Sequence, residues 1–144
     1  MNDEVTIFEA NSLEKWSHFD FQEKGMPVQT KLFLKEKMNL TGMELSLNSA
    51  EIGEEMPFVH RHRKNEELYL FISGKGEFYA DGAHIPIQEG TCIRCAPEVQ
   101  RSWRNTGGER LVFIVVQAKN NSLLDHFTYH DGQIVQVNPG WNRE

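Results

Sequence analysis

The chain has 144 residues, of which 39% are hydrophobic and 25% charged, a balance that fits one folded domain and excludes wholesale disorder. Its net charge of -6 argues against binding to nucleic acid or to an anionic membrane surface, because both favour a basic face. No apolar run approaches the roughly 20 residues that span a bilayer, and the acidic start Met1-Asn2-Asp3-Glu4 lacks the features of a signal peptide. We therefore expect a soluble, single-domain, cytoplasmic protein.

Short strand-like segments, separated by turn signals, follow one another along the chain. In order they cover residues 28–34, 43–47, 56–62, 67–72, 76–80, 83–88, 91–95, 101–105 and 110–119. This spacing, without a long helical pattern, predicts an all-β sandwich or barrel. The clearest local signal is Asp81-Gly82 between two strand-like runs, which is typical of a two-residue hairpin.

The N-terminal and C-terminal segments of the chain are expected to form short extensions outside this barrel. Asn11-Ser12-Leu13-Glu14 resembles a capping box and predicts a short helix around Trp16, and Ser122 could begin a single helical turn over 122–125. We predict an N-terminal extension over residues 1–39 that contributes one or more edge strands. The barrel then covers residues 40–118, and residues 119–144 form a C-terminal extension.

The densest cluster of ligand-type residues lies between residues 58 and 67. On a strand, Phe58, His60 and His62 share one face, while the other face carries arginines that tolerate burial poorly. The histidine face is therefore a candidate for the interior, and a polar edge strand with solvated histidines is an equally open alternative.

The next strand adds a carboxylate to this cluster. Glu67 shares a face with Tyr69 and Phe71, and an acid among apolar residues is costly to bury unless it is paired. Two imidazoles and a carboxylate would suit a divalent iron, manganese, nickel or zinc ion. The alternative is that Glu67 faces solvent at the entrance of its strand.

These residues resemble a known sequence pattern. His60-Arg61-His62, then four residues to Glu67 and six to Gly74, resembles the first motif of the cupin superfamily, H-x-H-x(3,4)-E-x(6)-G. The segment from Gly90 to Asn105 resembles the second motif in a degraded form. The resemblance covers roughly residues 40–118.

The resemblance implies a small double-stranded β-helix, or jelly-roll, barrel of the single-domain cupin type. It implies that His60, His62 and Glu67 point into the mouth of the barrel as metal ligands. Small cupins are often homodimers, so a homodimer is expected. The apolar face formed by Leu68, Leu70 and Ile72 would pack against the second sheet or against a partner subunit.

The second motif departs from the family pattern at Arg101, which stands where the last metal-binding histidine would be. A guanidinium cannot ligate a cation and stays charged. It could pair with Glu67 in place of the metal, bind a carboxylate or phosphate of a ligand, or turn to solvent and leave Gln100 or water near the site. A three-ligand metal combined with a ligand-binding Arg101 satisfies every residue and is the preferred picture.

Further candidates for the pocket wall follow from alternation along the strands. Cys95 could be a wall residue or an oxidisable thiol, Tyr69 a wall residue or a general acid, and Trp103 a ligand cover or a core residue. Because side chains three apart on a strand point to opposite faces, Cys92 and Cys95 are predicted to be unpaired.

Three functions remain open at the level of sequence. The first is a small-molecule-binding cupin that holds a divalent metal through His60, His62 and Glu67 and a small anionic ligand through Arg101. The second is a metal-dependent enzyme of the dioxygenase or isomerase type. The third is a metal-free enzyme resembling sugar epimerases, with a histidine as base and Tyr69 as acid. Whether the protein is an enzyme is left open, and a DNA-binding regulator is disfavoured because no helix-turn-helix pattern is visible.

Overall fold

The structure, a computed structural model, describes residues 4–19, 30–123 and 128–141. Helices are short: a 3₁₀ helix over Leu13–His18, the α-helix α1 over Lys35–Met38 and a 3₁₀ turn over Thr128–His130. The strands, in chain order, are β1 (Lys31–Phe33), β2 (Glu44–Ala50), β3 (Asn65–Ser73), β4 (Gly76–Ala80), β5 (Ala83–Ile87), β6 (Cys92–Cys95), β7 (Arg101–Asn105) and β8 (Leu111–Lys119).

The strands form two antiparallel sheets. One has five strands in the order β1-β2-β8-β3-β6, and the other has three in the order β5-β4-β7. Asp81 and Gly82 form the predicted hairpin between β4 and β5, and both have the positive φ that this turn requires (46° and 91°). The predicted all-β jelly-roll architecture is confirmed.

The alternation along β3 sets the inner and outer faces of the large sheet. Glu67, Tyr69 and Phe71 are buried inside, whereas Leu68 lies outside and is 37% exposed. The neighbouring strand β8 follows the same rule, since Tyr69 pairs with the buried Val115. The inner face predicted for Glu67 is therefore correct.

One predicted strand is wrong. Residues 56–62 form no regular strand, and within the described residues the β-bridges around this segment are the isolated pairs Glu55↔Arg104 and His60↔Arg101. The segment is extended enough to mimic strand periodicity, but the smaller sheet accepts it at single residues only. The histidines consequently lie on a loop across the barrel mouth.

The main core fills the space between the two sheets. Half of its buried members are aromatic, and several of these rings meet edge-on, such as Trp103 with Phe113 at 5.1 Å and Tyr69 with Phe78 at 4.8 Å between ring centroids. Its buried members are Ala50, Tyr69, Phe71, Phe78, Ile87, Cys95, Trp103, Leu111, Phe113 and Val115.

A second apolar cluster covers the outer face of the large sheet. Trp16, in the first 3₁₀ helix, packs there with Leu34, Leu47 and Val112. The helix predicted around Trp16 is thus present, although Ser12 makes no side-chain cap. The expectation that the face of Leu68, Leu70 and Ile72 meets the second sheet is wrong, because this face points outwards and only Ile72 joins the outer cluster.

The remaining sequence-based expectations concern the ends. The second half of the helical turn predicted over 122–125 lies outside the described residues, as does the N-terminal part of the first predicted strand. Within the described ranges, none of the helices has the length and apolar character needed to cross a bilayer.

Candidate metal and ligand site

A cavity of about 180 Å³ opens between the large sheet and the loop that carries the histidines. Its wall combines aromatic and aliphatic side chains with a few polar groups, an arrangement typical of small-molecule sites. The lining residues are Lys31, Phe33, Ser46, Met56, Phe58, His60, His62, Glu67, Tyr69, Trp103, Phe113, Val115 and Gln117.

Backbone hydrogen bonds fix the histidine loop. His60 exchanges N–H···O bonds of 3.1 and 3.0 Å with Arg101, and the His62 amide donates to the Pro97 carbonyl at 2.7 Å. Both imidazoles are thereby held over the same end of β3. Their rings meet edge to face, with centroids 5.3 Å apart.

Glu67 lies at the centre of the site. The Tyr69 hydroxyl donates to its Oε1 at 3.0 Å, and three nitrogens lie close to the same oxygen: His62 Nε2 at 3.2 Å, Arg101 Nε at 3.3 Å and His60 Nε2 at 3.5 Å. The Glu67 side chain is 6% exposed. A carboxylate buried this far needs such partners to remain ionised.

The spacing of these donors fits a divalent transition metal. One ligand atom from each of His60, His62 and Glu67 lies within 4.8 Å of the others. Donor atoms that share an ion at about 2.1 Å stand roughly 3.0–3.4 Å apart, close to the separations observed from Glu67 Oε1. His62 Nε2 and His60 Nδ1 are also buried without a hydrogen-bond partner within the described residues. The imidazole and carboxylate donors therefore suit the ions predicted from sequence, iron, manganese, nickel or zinc.

Burial and neighbouring charges shift the pKa values of both acids in the site, Glu67 and Tyr69. Burial raises the pKa of Glu67, but the neighbouring imidazoles of His60 and His62 outweigh it and leave this pKa below its ordinary value. Burial, together with the negative charge of Glu67, raises the pKa of Tyr69 well above its usual value. Glu67 is thus an anion ready to ligate, whereas Tyr69 holds its proton.

Arg101 lies beneath the site rather than in the cavity wall. Its side chain is 0% exposed, and its guanidinium donates to the carbonyls of Pro97 (3.1 Å), Val99 (2.6 Å) and Ala96 (3.3 Å). Of the alternatives open at the sequence level, this geometry matches pairing with Glu67. The guanidinium does not point to solvent, and its role in binding an anionic ligand stays a prediction that this geometry does not favour.

The other predicted wall residues divide into two groups. Tyr69 and Trp103 line the cavity, as predicted. Cys95 does not, because its side chain belongs to the core between the sheets and burial raises the pKa of its thiol. Gln100 is exposed in the turn before β7, where its backbone N–H donates to Asp81 Oδ1. It also lies outside the cavity wall.

Sequence reasoning missed the lining residues that β1, β2 and β8 contribute. Lys31 and Phe33 on β1, Ser46 on β2 and Gln117 on β8 all line the cavity. Alternation places Ser46 and Gln117 on the inner face, so strand periodicity could have identified those two. The pairing of β1 with β2, which brings in Lys31, is a long-range feature without a local signal.

Comparison with known proteins agrees with this architecture. The cupin-domain family model matches residues 49–117. No curated protein matches the sequence. A crystal structure of a cupin protein from Bacteroides fragilis is 35% identical, with a TM-score of 0.69, and the alignment covers 81% of this chain and 98% of that one.

Two further solved structures are similar. A putative sugar phosphate isomerase from Acidithiobacillus ferrooxidans is 27% identical (TM-score 0.58), with 65% of this chain and 61% of that chain covered. A predicted oxalate decarboxylase from Thermotoga maritima is 22% identical (TM-score 0.57), with 70% and 92% covered, and shows the shared fold alone. The barrel, the first motif and these matches together show that the chain belongs to the cupin family.

Proposed function

We propose that this protein is a small-molecule-binding cupin that holds a divalent transition metal through His60, His62 and Glu67. The observation that carries the proposal is the placement of His60 Nε2 and His62 Nε2 at 3.5 and 3.2 Å from Glu67 Oε1, at the end of a cavity. His62 Nε2 and His60 Nδ1 are buried and make no hydrogen bond within the described residues, and the pKa of Glu67 lies below its ordinary value. Each of these features favours a bound cation.

Among the described residues three protein ligands are available, because Arg101 replaces the expected fourth one and cannot ligate. A metal in such a site supplies an electrophilic centre with open positions for a ligand. Other residues of the chain orient the ligating carboxylate, balance its charge and exclude water. Tyr69 orients Glu67 through its hydroxyl, Arg101 balances the charge of Glu67 from below, and the aromatic wall excludes water from the ligand.

The experiment is elemental analysis of untagged protein purified without chelator. We expect about one transition-metal ion per chain in the parent and a loss of metal in His60→Ala/His62→Ala. A matched control is His18→Ala/His84→Ala, since both of these histidines are exposed and lie outside the cavity. Absence of metal from the parent after incubation with iron, manganese, nickel and zinc would overturn the proposal.

A metal-dependent isomerase is the second candidate. The similarity to a putative sugar phosphate isomerase supports it, as does the three-ligand arrangement. A chelator should then abolish turnover, and one particular ion should restore it. The metal-free, epimerase-like alternative is disfavoured, because the Tyr69 hydroxyl donates its hydrogen bond to Glu67 and burial raises the pKa of Tyr69. The dioxygenase alternative has no specific observation in its favour.

A homodimer is proposed as the assembled form. Leu68 is 37% exposed on the outer face of the large sheet, and Leu70 beside it is only partly covered. Burial of this face against a second copy would remove apolar area from water. Light scattering of the purified protein should give twice the mass of the chain.

A further inference from the structure

The cavity wall includes a positively charged side chain, Lys31, that belongs to none of the cupin motifs. Lys31 and Phe33 are the two ends of β1, and they pair with the inward-facing Asn48 and Ser46 of β2. Both β1 residues therefore face the barrel interior and line the cavity. They lie outside residues 49–117, the part matched by the family model, so the N-terminal edge strand adds its own chemistry to the site.

The Lys31 side chain extends along the strand over its neighbour. Its Nζ lies 5.1 Å from the centroid of the Phe33 ring, within the range of a cation–π contact. Phe33 belongs to the same cross-strand row as Ser46, Val115 and Tyr69, one row from Glu67. The ammonium group is consequently carried towards the metal-binding end of the cavity.

No charged partner satisfies this ammonium group directly. Among the residues that the structure describes, Lys31 Nζ has neither a hydrogen bond nor an ion pair. Burial lowers the pKa of Lys31, while the more distant charges of Glu67 and Glu44 oppose this effect. Glu44 is itself engaged, because its Oε1 accepts the backbone amides of Lys35 and Leu45. A partly desolvated, unpaired ammonium is stabilised by any anion that reaches it.

The charges that line the cavity also favour an anionic ligand. Glu67 is the single carboxylate among the described lining residues, and Arg101 already faces it at 3.3 Å. The positive charge of Lys31 is therefore left over, and a bound divalent cation would increase the excess. Such a cavity attracts an anion and disfavours a neutral or cationic ligand of the same shape.

The remaining wall sets the size and character of that anion. Phe33, Phe58, Trp103 and Phe113 give the cavity an aromatic wall, and its volume of about 180 Å³ is well below that of sites for drug-sized ligands. The ligand should therefore have a small apolar body and one anionic end.

We propose that Lys31 binds the carboxylate of a small organic acid whose apolar body lies against this aromatic wall. The proposal deepens the proposed function, on which it rests for the placement of the ligand's other end near His60, His62 and Glu67. In this proposal β1 takes part in ligand selection, and Lys31 rather than Arg101 binds the anionic group of the ligand.

The test is an NMR titration of the full-length protein, as purified, with benzoate and with its neutral isostere benzamide. We expect benzoate to bind more tightly than benzamide. Lys31→Gln should weaken benzoate binding by about 10- to 100-fold, the effect of losing a charge-assisted hydrogen bond, and should leave benzamide unchanged. Lys31→Arg should retain most of the preference for benzoate.

The matched control is Lys35→Gln, which removes the same charge from the exposed helix α1, four residues away and outside the cavity wall. It should change benzoate affinity less than about twofold, because exposed charges are screened. Equal affinities for benzoate and benzamide, or equal effects of the two lysine variants, would overturn the proposal. Metal content measured on the same samples reports separately on the proposed function, since Lys31 is not a ligand and Lys31→Gln should keep the parent's metal.

Discussion

Arg101 Nε lies 3.3 Å from Glu67 Oε1, and both side chains are buried. The guanidinium cannot move far, because the carbonyls of Ala96, Pro97 and Val99 accept its remaining bonds. The Glu67 carboxylate therefore pairs with the fixed guanidinium beneath it and would also ligate the metal proposed above it. This pairing explains how the family's fourth ligand can be lost while the acid beside it stays ionised and in place.

Arg101→Met should destabilise the fold strongly. The variant leaves the buried Glu67 without its guanidinium partner and the Val99 carbonyl without its donor, and breaking a buried ion pair from one side costs about 3–5 kcal/mol in the free energy of unfolding. Urea denaturation of chelator-treated protein measures the loss.

The control for Arg101→Met is Arg94→Met, whose guanidinium is exposed and pairs with Glu66. Exposed ion pairs contribute about 0–1 kcal/mol, so this variant should remain close to the parent. Similar losses in the two variants would show that the Arg101–Glu67 pair does not stabilise the fold.

Tyr69→Phe should weaken both the fold and the site. Its hydroxyl donates to Glu67 at 3.0 Å, and a hydrogen bond to a charged group contributes about 1.5–3 kcal/mol to stability. Loss of a residue that orients a metal ligand lowers metal affinity by about 10- to 100-fold. Competitive metal titration and urea denaturation measure the two effects.

The matched control for Tyr69→Phe is Tyr79→Phe. Tyr79 lies on the smaller sheet, where its ring contacts His84 away from the site. This variant should keep the metal affinity of the parent. A Tyr69→Phe protein with unchanged metal affinity would mean that Glu67 is positioned without the phenol.

Much of the site could be predicted from local sequence. The H-x-H-x(4)-E spacing identified His60, His62 and Glu67, and alternation along β3 gave the correct inner face for Glu67 and Tyr69. These inferences work because the side chains of a strand alternate regardless of what the strand pairs with. The hairpin at Asp81-Gly82 is equally local.

The missing parts of the site depend on long-range pairing. Nothing in the sequence around Lys31 indicates that β1 pairs with β2, yet that pairing brings the lysine into the cavity. Gln100 was misplaced because its position relative to the cavity depends on the turn before β7. The exposure of Leu68 likewise depends on tertiary packing, because the N-terminal segment covers only part of the outer face of the sheet.

The two cysteines should react very differently with a thiol reagent. Cys92 is exposed, whereas Cys95 is 2% exposed, and burial raises the pKa of its thiol. Native protein should therefore release about one equivalent of chromophore from a disulfide reagent, and protein unfolded in urea about two. Cys92→Ser should abolish the reaction of the native protein. Rapid native labelling of that variant would show that the core around Cys95 opens readily.

Gly76→Ala should destabilise the smaller sheet. Gly76 begins β4, and a methyl group there would overlap the carbonyl oxygen of Arg104 on β7 and approach Leu111 at 3.2 Å. Relief of the overlap requires the two strands to separate, at a cost of about 1–3 kcal/mol in the free energy of unfolding. Gly42→Ala is the matched control, since its methyl group would meet no atom within 4 Å. Urea denaturation should place the control within about 0.5 kcal/mol of the parent, and a Gly76→Ala protein of equal stability would contradict the close packing of β4 against β7.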